Sequence, residues 1–222
     1  MQIPFRSTGY KPFMPTNQTN ATATLERTAN VQAPPSPSAS HLINDIPYKN
    51  ADGTINAVIE IPSGTDAKWE TDKNSGQLYQ PNENGKPRTV HYLPYVANYG
   101  FVPQTLSDPE KGGDGDPLDV VVLGPQLAKG AIVPTHAVGV IRLVDHGEQD
   151  DKLVLVPNHG PFKDVRTLNQ LKHDFPGVLG ILETWFLHYK PLGKMRIDSI
   201  ADEKVSADIL EHDHGSWKAQ QA

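Results

Sequence analysis

The chain has 222 residues, a formal net charge of −6 at pH 7 and no cysteine. That length is sufficient for one domain with a sizeable core. Without cysteine there can be no disulfides, thiolate nucleophiles or cysteine-ligated zinc and iron–sulfur centres, so oxygen and imidazole groups are the remaining metal ligands. The acidic balance argues against nonspecific binding to nucleic acid or to an anionic membrane as the main role.

The first 40 residues differ in composition from the rest. They contain no Asp and one Glu, and a Pro-Pro-Ser-Pro run at 34–37 marks their end. We therefore predict a disordered tail over 1–40 and a single domain over 41–222. Transit segments and trimmed export signals have similar compositions. A cytoplasmic location is the default, because no apolar stretch approaches a membrane span or a secretory signal. An exported or organellar location with a processed tail is the alternative, and only in a secreted chain would Asn17 and Asn20 be glycosylation acceptors.

Alternating apolar residues predict the first strand. The odd positions from Ile55 to Ile61 are apolar, which is the pattern of a half-buried strand with Glu60 on its other face. A second strand is predicted over 68–72, with Lys68 and Glu70 on one side. A turn is predicted over 82–87. Further strands rich in Val, Ile and Leu are predicted at about 89–93, 119–123, 131–144 and 152–157. Short strands separated by turns favour a small barrel or sandwich.

The apolar period becomes helical after Val165. A helix is predicted behind Pro176, a favourable first-turn residue, and it ends near Tyr189 and Lys190. The apolar residues at helical spacing are Val178, Ile181, Leu182, Trp185, Phe186 and Tyr189. A second helix is predicted over about 205–218.

Residues 114–119 read Asp-Gly-Asp-Pro-Leu-Asp, which places three carboxylates within six positions. Two acids about 4 Å apart repel by roughly 4 kcal/mol at an effective dielectric of 20, and a bound divalent cation would turn that cost into attraction. Hard cations such as Mg²⁺ prefer oxygen ligands. The run does not fit an EF-hand, which requires Gly in place of Asp119 and Glu in place of Pro125. An aspartate-rich turn or a structural calcium loop remains an alternative.

A second acidic cluster, Asp145 to Lys152, lies between two predicted strands. Together with the first cluster it provides more carboxylates than one ion needs. Acids that bind metal beside cations that bind phosphate oxygens are the usual groups of phosphoryl transfer. The substrate would then be an anion that arrives with metal. The remaining candidates are Glu60, Glu70, Lys68, Arg88, Lys190, Tyr99 and Tyr189.

Each feature taken alone has a simpler explanation. The second cluster could be a solvated hairpin loop, Lys68 and Glu70 could be a surface cross-strand pair, and both tyrosines could be core or rim aromatics. His212 and His214 fit a solvated helix end better than a metal site.

The joint pattern resembles the family I soluble inorganic pyrophosphatases. Asp114-Gly-Asp116-Pro-Leu-Asp119-Val matches the family signature at every fixed position. The likeness runs continuously over about 55–191 and leaves the N-terminal tail unexplained. Its other elements are Ile59-Glu60-Ile61-Pro62, Lys68-Trp-Glu70, Tyr95 to Thr105, Asp145, Asp150, Lys152 and Tyr189-Lys190.

The resemblance implies an activity, a fold and partners. The activity is metal-dependent hydrolysis of inorganic diphosphate to two orthophosphates by direct attack of a metal-activated water. Several Mg²⁺ ions would serve, with Mn²⁺ or other divalent ions able to substitute. The implied fold is α+β, mainly β: a five-stranded OB-like closed barrel flanked by C-terminal helices, in one catalytic domain over 41–222. The implied partners are pyrophosphate and further copies of the chain, a homohexamer in preference to a dimer, with no nucleic acid and no membrane.

The resemblance also implies a role for each matching residue. Asp116 would be the general base that takes a proton from a water between two metals. The implied metal ligands are Asp114, Asp119, Asp145 and Asp150, with Glu60 and Glu70 acting from the opposite wall through water. The implied contacts to the electrophilic phosphate are Lys68, Tyr99 and Lys152. Those to the leaving phosphate are Arg88, Tyr189 and Lys190.

Several positions depart from the family pattern. Val96 replaces a common Pro, and the turn from Glu60 to Lys68 is one residue shorter than in many bacterial members. Arg88 is assigned across a variable loop. His146 stands where an acid is common, and we expect it to shift metal affinity or pH dependence.

Two other classes of function compete with this interpretation. An OB-like binding module could sequester calcium or bind oligonucleotides without turnover, although the sequence lacks the aromatic and basic stripe of a single-strand binder. A phosphatase could act on organic phosphates, although the sequence indicates no nucleoside or sugar pocket.

Overall fold

The computed structural model describes residues 40–190 and 195–222, and the predicted tail lies outside these ranges except for its last residue. The described residues form eleven strands and three α-helices. The strands are β1 Ile55–Ile61, β2 Glu70–Thr71, β3 Leu78–Tyr79, β4 Asn82–Glu83, β5 Lys86–Pro87, β6 Asn98–Phe101, β7 Asp119–Val122, β8 Ile132–Asp145, β9 Glu148–Gln149, β10 Lys152–Pro157 and β11 Met195–Ala201. The helices are α1 Leu168–Asp174, α2 Val178–His188 and α3 Glu203–Gln220.

Five strands close into a ring. β1 pairs with β6, β6 with β7, β7 with β10, β10 with β8, and β8 again with β1. The β7–β10 pair is parallel and the other four are antiparallel. β11 and β9 both extend the sheet from β8. The prediction of a mainly β fold with C-terminal helices is therefore confirmed.

Strand β1 has the predicted bounds, but it is buried on both faces and not on one. Ile55, Ala57 and Ile59 pack into the same apolar cluster. Val58, on the other face, packs against Leu42 in a second cluster. The segment before β1 covers the face that alternation alone assigned to solvent.

The predicted strand at 89–93 is wrong. Thr89 makes only an isolated bridge to Ala67, and residues 91–93 form bends without strand pairing. The Leu93 carbonyl accepts a hydrogen bond from the Trp185 indole at 3.0 Å, so this backbone is tied to α2. The strand predicted over 68–72 is also shorter, because only Glu70–Thr71 pair with β3.

The predicted turn and the two predicted helices are present in the structure, with small shifts in their bounds. Asn84 and Gly85, with φ of 52° and 77°, form the tight turn between β4 and β5 within the predicted 82–87. Helix α2 is confirmed, but Pro176 precedes it and Gly177, with φ of 91°, is its N-cap. Helix α3 is confirmed and is longer than predicted. Helix α1 and strands β3, β6, β9 and β11 have no predicted counterpart.

No helix within residues 40–190 and 195–222 combines the length and the apolarity that crossing a membrane requires.

Candidate active site

A buried ammonium group lies at the centre of the candidate site. Lys152, at the start of β10, is 1% exposed. Its Nζ bonds to carboxylate oxygens of Asp119 and Asp150. Burial alone would lower the pKa of Lys152, but the two carboxylates outweigh it and raise that pKa. The parallel pairing of β10 with β7 sets this arrangement, because it places Lys152 directly opposite Asp119.

Asp119 connects this centre to an open cavity. Tyr99 on β6 donates its hydroxyl to Asp119 Oδ2 at 2.5 Å. Burial raises the pKa of Asp119 in spite of Lys152. Burial also raises the pKa of the Tyr99 phenol, with Asp119 as the next cause, so Tyr99 remains a hydrogen-bond donor at neutral pH.

The cavity beside Asp119 has a volume of about 390 Å³, which suits a small ligand. Both acids and cations line it. Six residues predicted from the sequence share its wall: Glu60, Lys68, Glu70, Tyr99, Asp116 and Asp119.

Glu60 enters this cavity at a β-bulge. Pairing of β1 with β6 shifts register between Ile59 and Ile61, so Glu60 is the extra residue. Opposite the bulge, a Cβ added to Gly100 would lie 1.8 Å from the Val58 carbonyl oxygen, so only glycine fits there. Burial raises the pKa of Glu60 to about 8. Its Oε1 accepts a hydrogen bond from the Thr71 hydroxyl at 2.7 Å.

Glu70 gathers two of the predicted phosphate-binding cations. Its Oε1 lies 2.8 Å from Arg88 and 3.8 Å from Lys68 Nζ. Lys68 and Glu70 thus lie on the same side, as predicted, although β2 does not extend to Lys68. The Lys68 amide donates to the Arg88 carbonyl at 3.0 Å, which holds the two cations together. Burial lowers the pKa of Lys68.

Asp114 and Asp116 belong to residues 114–119, the aspartate loop, and differ in their contacts and exposure. Asp114 Oδ1 accepts the Asp116 amide at 2.9 Å, and burial raises the pKa of Asp114 to about 7. Asp116 is exposed at the cavity wall and forms an ion pair with Lys73. Lys73 was not predicted from the sequence. The available signal was its place three residues after Glu70, on the turn that leaves the Lys68–Glu70 segment.

Asp145 ends β8 beside a second pair of predicted residues. Lys190 donates to Asp145 Oδ2 at 2.5 Å, and His146 Nδ1 lies 2.7 Å from Oδ1. Burial opposes the charge of Asp145, but Lys190 and His146 outweigh it and lower the pKa of Asp145. The Tyr189 ring stacks on Trp185 with centroids 4.4 Å apart. Burial raises the pKa of Tyr189.

Comparison with known proteins gives this geometry a context. Residues 57–218 match the sequence model of the inorganic pyrophosphatase family. The chain belongs to that family. An inorganic pyrophosphatase of Campylobacter jejuni is 35% identical over 176 residues, which cover 76% of this chain and 92% of that one. The predicted family and enzyme class, inorganic diphosphatase, are therefore confirmed.

Solved structures and other relatives of this pyrophosphatase family agree. The crystal structure of the type I inorganic pyrophosphatase from P. falciparum superposes with a TM-score of 0.74 at 30% identity, over 80% of this chain and 63% of that one. A mitochondrial inorganic pyrophosphatase of Saccharomyces cerevisiae is 31% identical over 191 residues, 74% of this chain and 61% of its own. The chain therefore spans about three fifths of these two relatives. A compartment stays a prediction for this chain.

The pyrophosphatase site fits divalent metal in its donor chemistry. Its acids are all-oxygen donors, as Mg²⁺ requires, and burial leaves Asp114 and Asp119 with raised pKa values that a cation would offset. The acidic side chains described do not converge on a common metal position. Across 40–190 and 195–222, no three acid or histidine side chains gather in metal-binding geometry. Lys152 lies between Asp119 and Asp150, and Lys190 is paired with Asp145.

Proposed function

We propose that this chain hydrolyses inorganic diphosphate to two orthophosphates, with divalent metal and by direct attack of water. The proposal rests on one observation: a single cavity is lined by the carboxylates of Glu60, Glu70, Asp116 and Asp119 and by Lys68 and Tyr99. The chain that forms this cavity matches the pyrophosphatase family over residues 57–218. Pyrophosphate is a polyanion, so cations must neutralise it before a nucleophile can approach.

Asp116 is the proposed general base. It is exposed at the cavity wall, so its carboxylate can accept a proton from a water in the cavity. Asp114 and Asp119 are less exposed than Asp116. This difference supports separate roles for the three aspartates.

Asp114, Asp119, Asp145 and Asp150 are the proposed metal ligands, with Glu60 and Glu70 acting through water from the opposite wall. We assign the metal as Mg²⁺, in several copies, with Mn²⁺ or another divalent ion able to substitute. When bound, such ions polarise phosphoryl oxygens and lower the pKa of a coordinated water. His146, bonded to Asp145, is the residue expected to modify metal affinity.

The proposed phosphate-binding residues, four cations and two tyrosines, divide into two groups around the phosphates. Lys68, Tyr99 and Lys152 would contact the electrophilic phosphate. Arg88, Tyr189 and Lys190 would stabilise the charge that grows on the leaving phosphate. Donors fixed before the reaction stabilise this charge without reorganisation. The ion pairs to Glu70, Asp119 and Asp145 support this, since they already hold four of these cations in place.

The architecture and assembly extend the proposal. We further assign the five-strand ring to an OB-like closed barrel and residues 41–222 to one catalytic domain. The chain self-associates, as a homohexamer in preference to a dimer. An uncharged apolar patch of Tyr92, Leu93, Val96 and Ile181 supports self-association, because these side chains are 40–61% exposed and line one groove.

One assay tests the activity: phosphate release from pyrophosphate, with Mg²⁺ and with chelator, beside a nucleoside triphosphate and a phosphate monoester. We expect rapid release from pyrophosphate with Mg²⁺ only. Release from the monoester alone would indicate an organic phosphatase. Metal or pyrophosphate binding without any release would indicate a binding module.

A further inference from the structure

Lys73 lies beside the proposed general base and has no role in the site described so far. It lines the same cavity as Asp116, on the turn that follows β2. Its Nζ forms an ion pair with Asp116 Oδ1 and donates to the Gly115 carbonyl oxygen at 2.8 Å. One ammonium group therefore holds the aspartate loop at two consecutive residues.

The backbone that presents Lys73 is fixed by its own turn. Asp72 Oδ1 accepts the Ser75 amide and hydroxyl, each at 2.8 Å. Gly76, with φ of 65°, ends the turn. Only glycine fits at this position, because an added Cβ would lie 2.4 Å from the His41 ring. His41 Nε2 lies 3.2 Å from the Lys73 carbonyl oxygen. The long lysine side chain is thus anchored at its base.

The backbone of Asp116 is fixed from the other side. Its amide donates to Asp114 Oδ1 at 2.9 Å, and its carbonyl accepts the Ser107 amide at 2.8 Å. The side chain is held differently. Among the residues described, Lys73 is the one cation within ion-pair distance of its carboxylate, and it engages Oδ1. Oδ2 has no hydrogen-bond donor from this part of the chain, so it is free to accept a proton.

We propose that Lys73 is a positioning residue that orients the Asp116 carboxylate toward the attacking water. The inference rests on the proposed function, since it assigns how the general base of that reaction is aimed. Binding Oδ1 and the adjacent Gly115 carbonyl restricts rotation of the carboxylate and movement of its loop. A misplacement of about 1 Å at a reacting group costs on the order of 100-fold in rate.

The first experiment compares steady-state kinetics of the full chain with Mg²⁺ and pyrophosphate. We expect K73M to lower kcat by about 10- to 100-fold with KM within about threefold. K73R keeps the charge and should recover most of that loss. The matched control is K172M, which removes an exposed lysine on α1 and should leave kcat unchanged. An unchanged kcat in K73M, or a loss confined to KM, would overturn the inference.

A double-mutant cycle separates positioning from direct contact with the substrate. If Lys73 acts through Asp116, K73M should lower kcat by less than about twofold when Asp116 is already Asn. An equal loss in both backgrounds would show that Lys73 acts on the phosphate, which would overturn a positioning role.

A third measurement does not depend on turnover. Hydrogen–deuterium exchange of the peptide over 113–119 should speed up in K73M and remain unchanged in K172M, because the Gly115 anchor is lost. Unchanged exchange would overturn the holding role. A wild-type chain that releases no phosphate would contradict the proposed function instead, and the exchange result would still decide whether Lys73 holds the loop.

Discussion

Asp114, Asp116 and Asp119 are chemically alike in sequence but differ in their surroundings. Asp119 is bonded to Lys152 and Tyr99, Asp114 accepts a backbone amide, and Asp116 faces the cavity. The resemblance alone assigns them different roles, and the structure shows that their surroundings differ as well.

Asp116→Asn should lower kcat for pyrophosphate by about 10²- to 10⁴-fold, because an amide cannot accept the proton. The side chain is exposed, so the fold should be retained. Steady-state kinetics and circular dichroism measure the two effects. Asp208→Asn, an exposed change on α3, is the control. Near-normal turnover in the Asp116 variant would remove the base assignment.

Glu60 supplies a pH-dependent prediction. Its pKa rises from an ordinary value of 4.5 to about 8 on folding. Between pH 4.5 and pH 8, Glu60 keeps a proton in the folded state that it has released in the unfolded state. The stability that this bound proton contributes is therefore lost as pH rises toward 8. In chelator, Glu60→Gln should therefore melt at a higher temperature than wild type at pH 9, by about 5 °C, and close to it at pH 5.

Thermal melts at both pH values measure this difference. Exposed Glu83→Gln is the control and should match wild type. A Glu60→Gln variant with the same melting temperature as wild type at pH 9 would contradict the burial argument.

At the scale of elements, the bulge between β1 and β6 depends on one glycine. Gly100→Ala would place a methyl group 1.8 Å from the Val58 carbonyl oxygen and force the strands apart. We expect a loss of about 3 kcal/mol in the free energy of unfolding, measured by urea denaturation. Gly180→Ala is the opposite case, because nothing lies within 4 Å of its added Cβ on α2. It should stabilise by about 0.5–1 kcal/mol. Equal effects would show that backbone proximity does not restrict position 100.

Strands and helices with strong local patterns could be predicted from the sequence. β1, β7, β8 and β10 are rich in Val, Ile and Leu, and α2 and α3 carry apolar residues at helical spacing. The segment 89–93 has the same strand-like composition, yet its backbone is bonded to α2 through Trp185. The tertiary contact with α2 therefore overrides the local preference of this segment for a strand. Helix α1 was missed, although Thr167 and Gln170 form a capping box that is visible in sequence.

The site could be predicted in its members more than in its contacts. The family signature located Asp114, Asp116 and Asp119, and separate segments supplied the cations. The sequence could not show that Lys152 bridges Asp119 and Asp150, because that contact depends on the register of β7 against β10. The place of Lys73 three residues after Glu70 is visible in sequence, but its contact with Asp116 joins segments about 40 residues apart and is not.

At the scale of the whole molecule, the apolar patch predicts the effect of one substitution on assembly. Ile181 is 58% exposed within that patch. Ile181→Asp would bury a charge at the proposed contact between copies, so it should shift the chain toward smaller species. Light scattering coupled to size exclusion measures the mass. Asn82→Asp, an exposed change on β4, should leave it unaltered. An unchanged assembly in the Ile181 variant would place the interface elsewhere.

The ammonium of Lys152 between Asp119 and Asp150 has a consequence for how the enzyme matures. An internal cation already offsets part of the repulsion between these two carboxylates, so we expect the sheet to close without external metal. We therefore expect folding and metal binding to be separate events, unlike in small zinc domains, where the free energy of metal binding drives folding. A chelated chain should keep its circular dichroism spectrum and regain activity on addition of Mg²⁺, and loss of the spectrum in chelator would show that folding needs the metal.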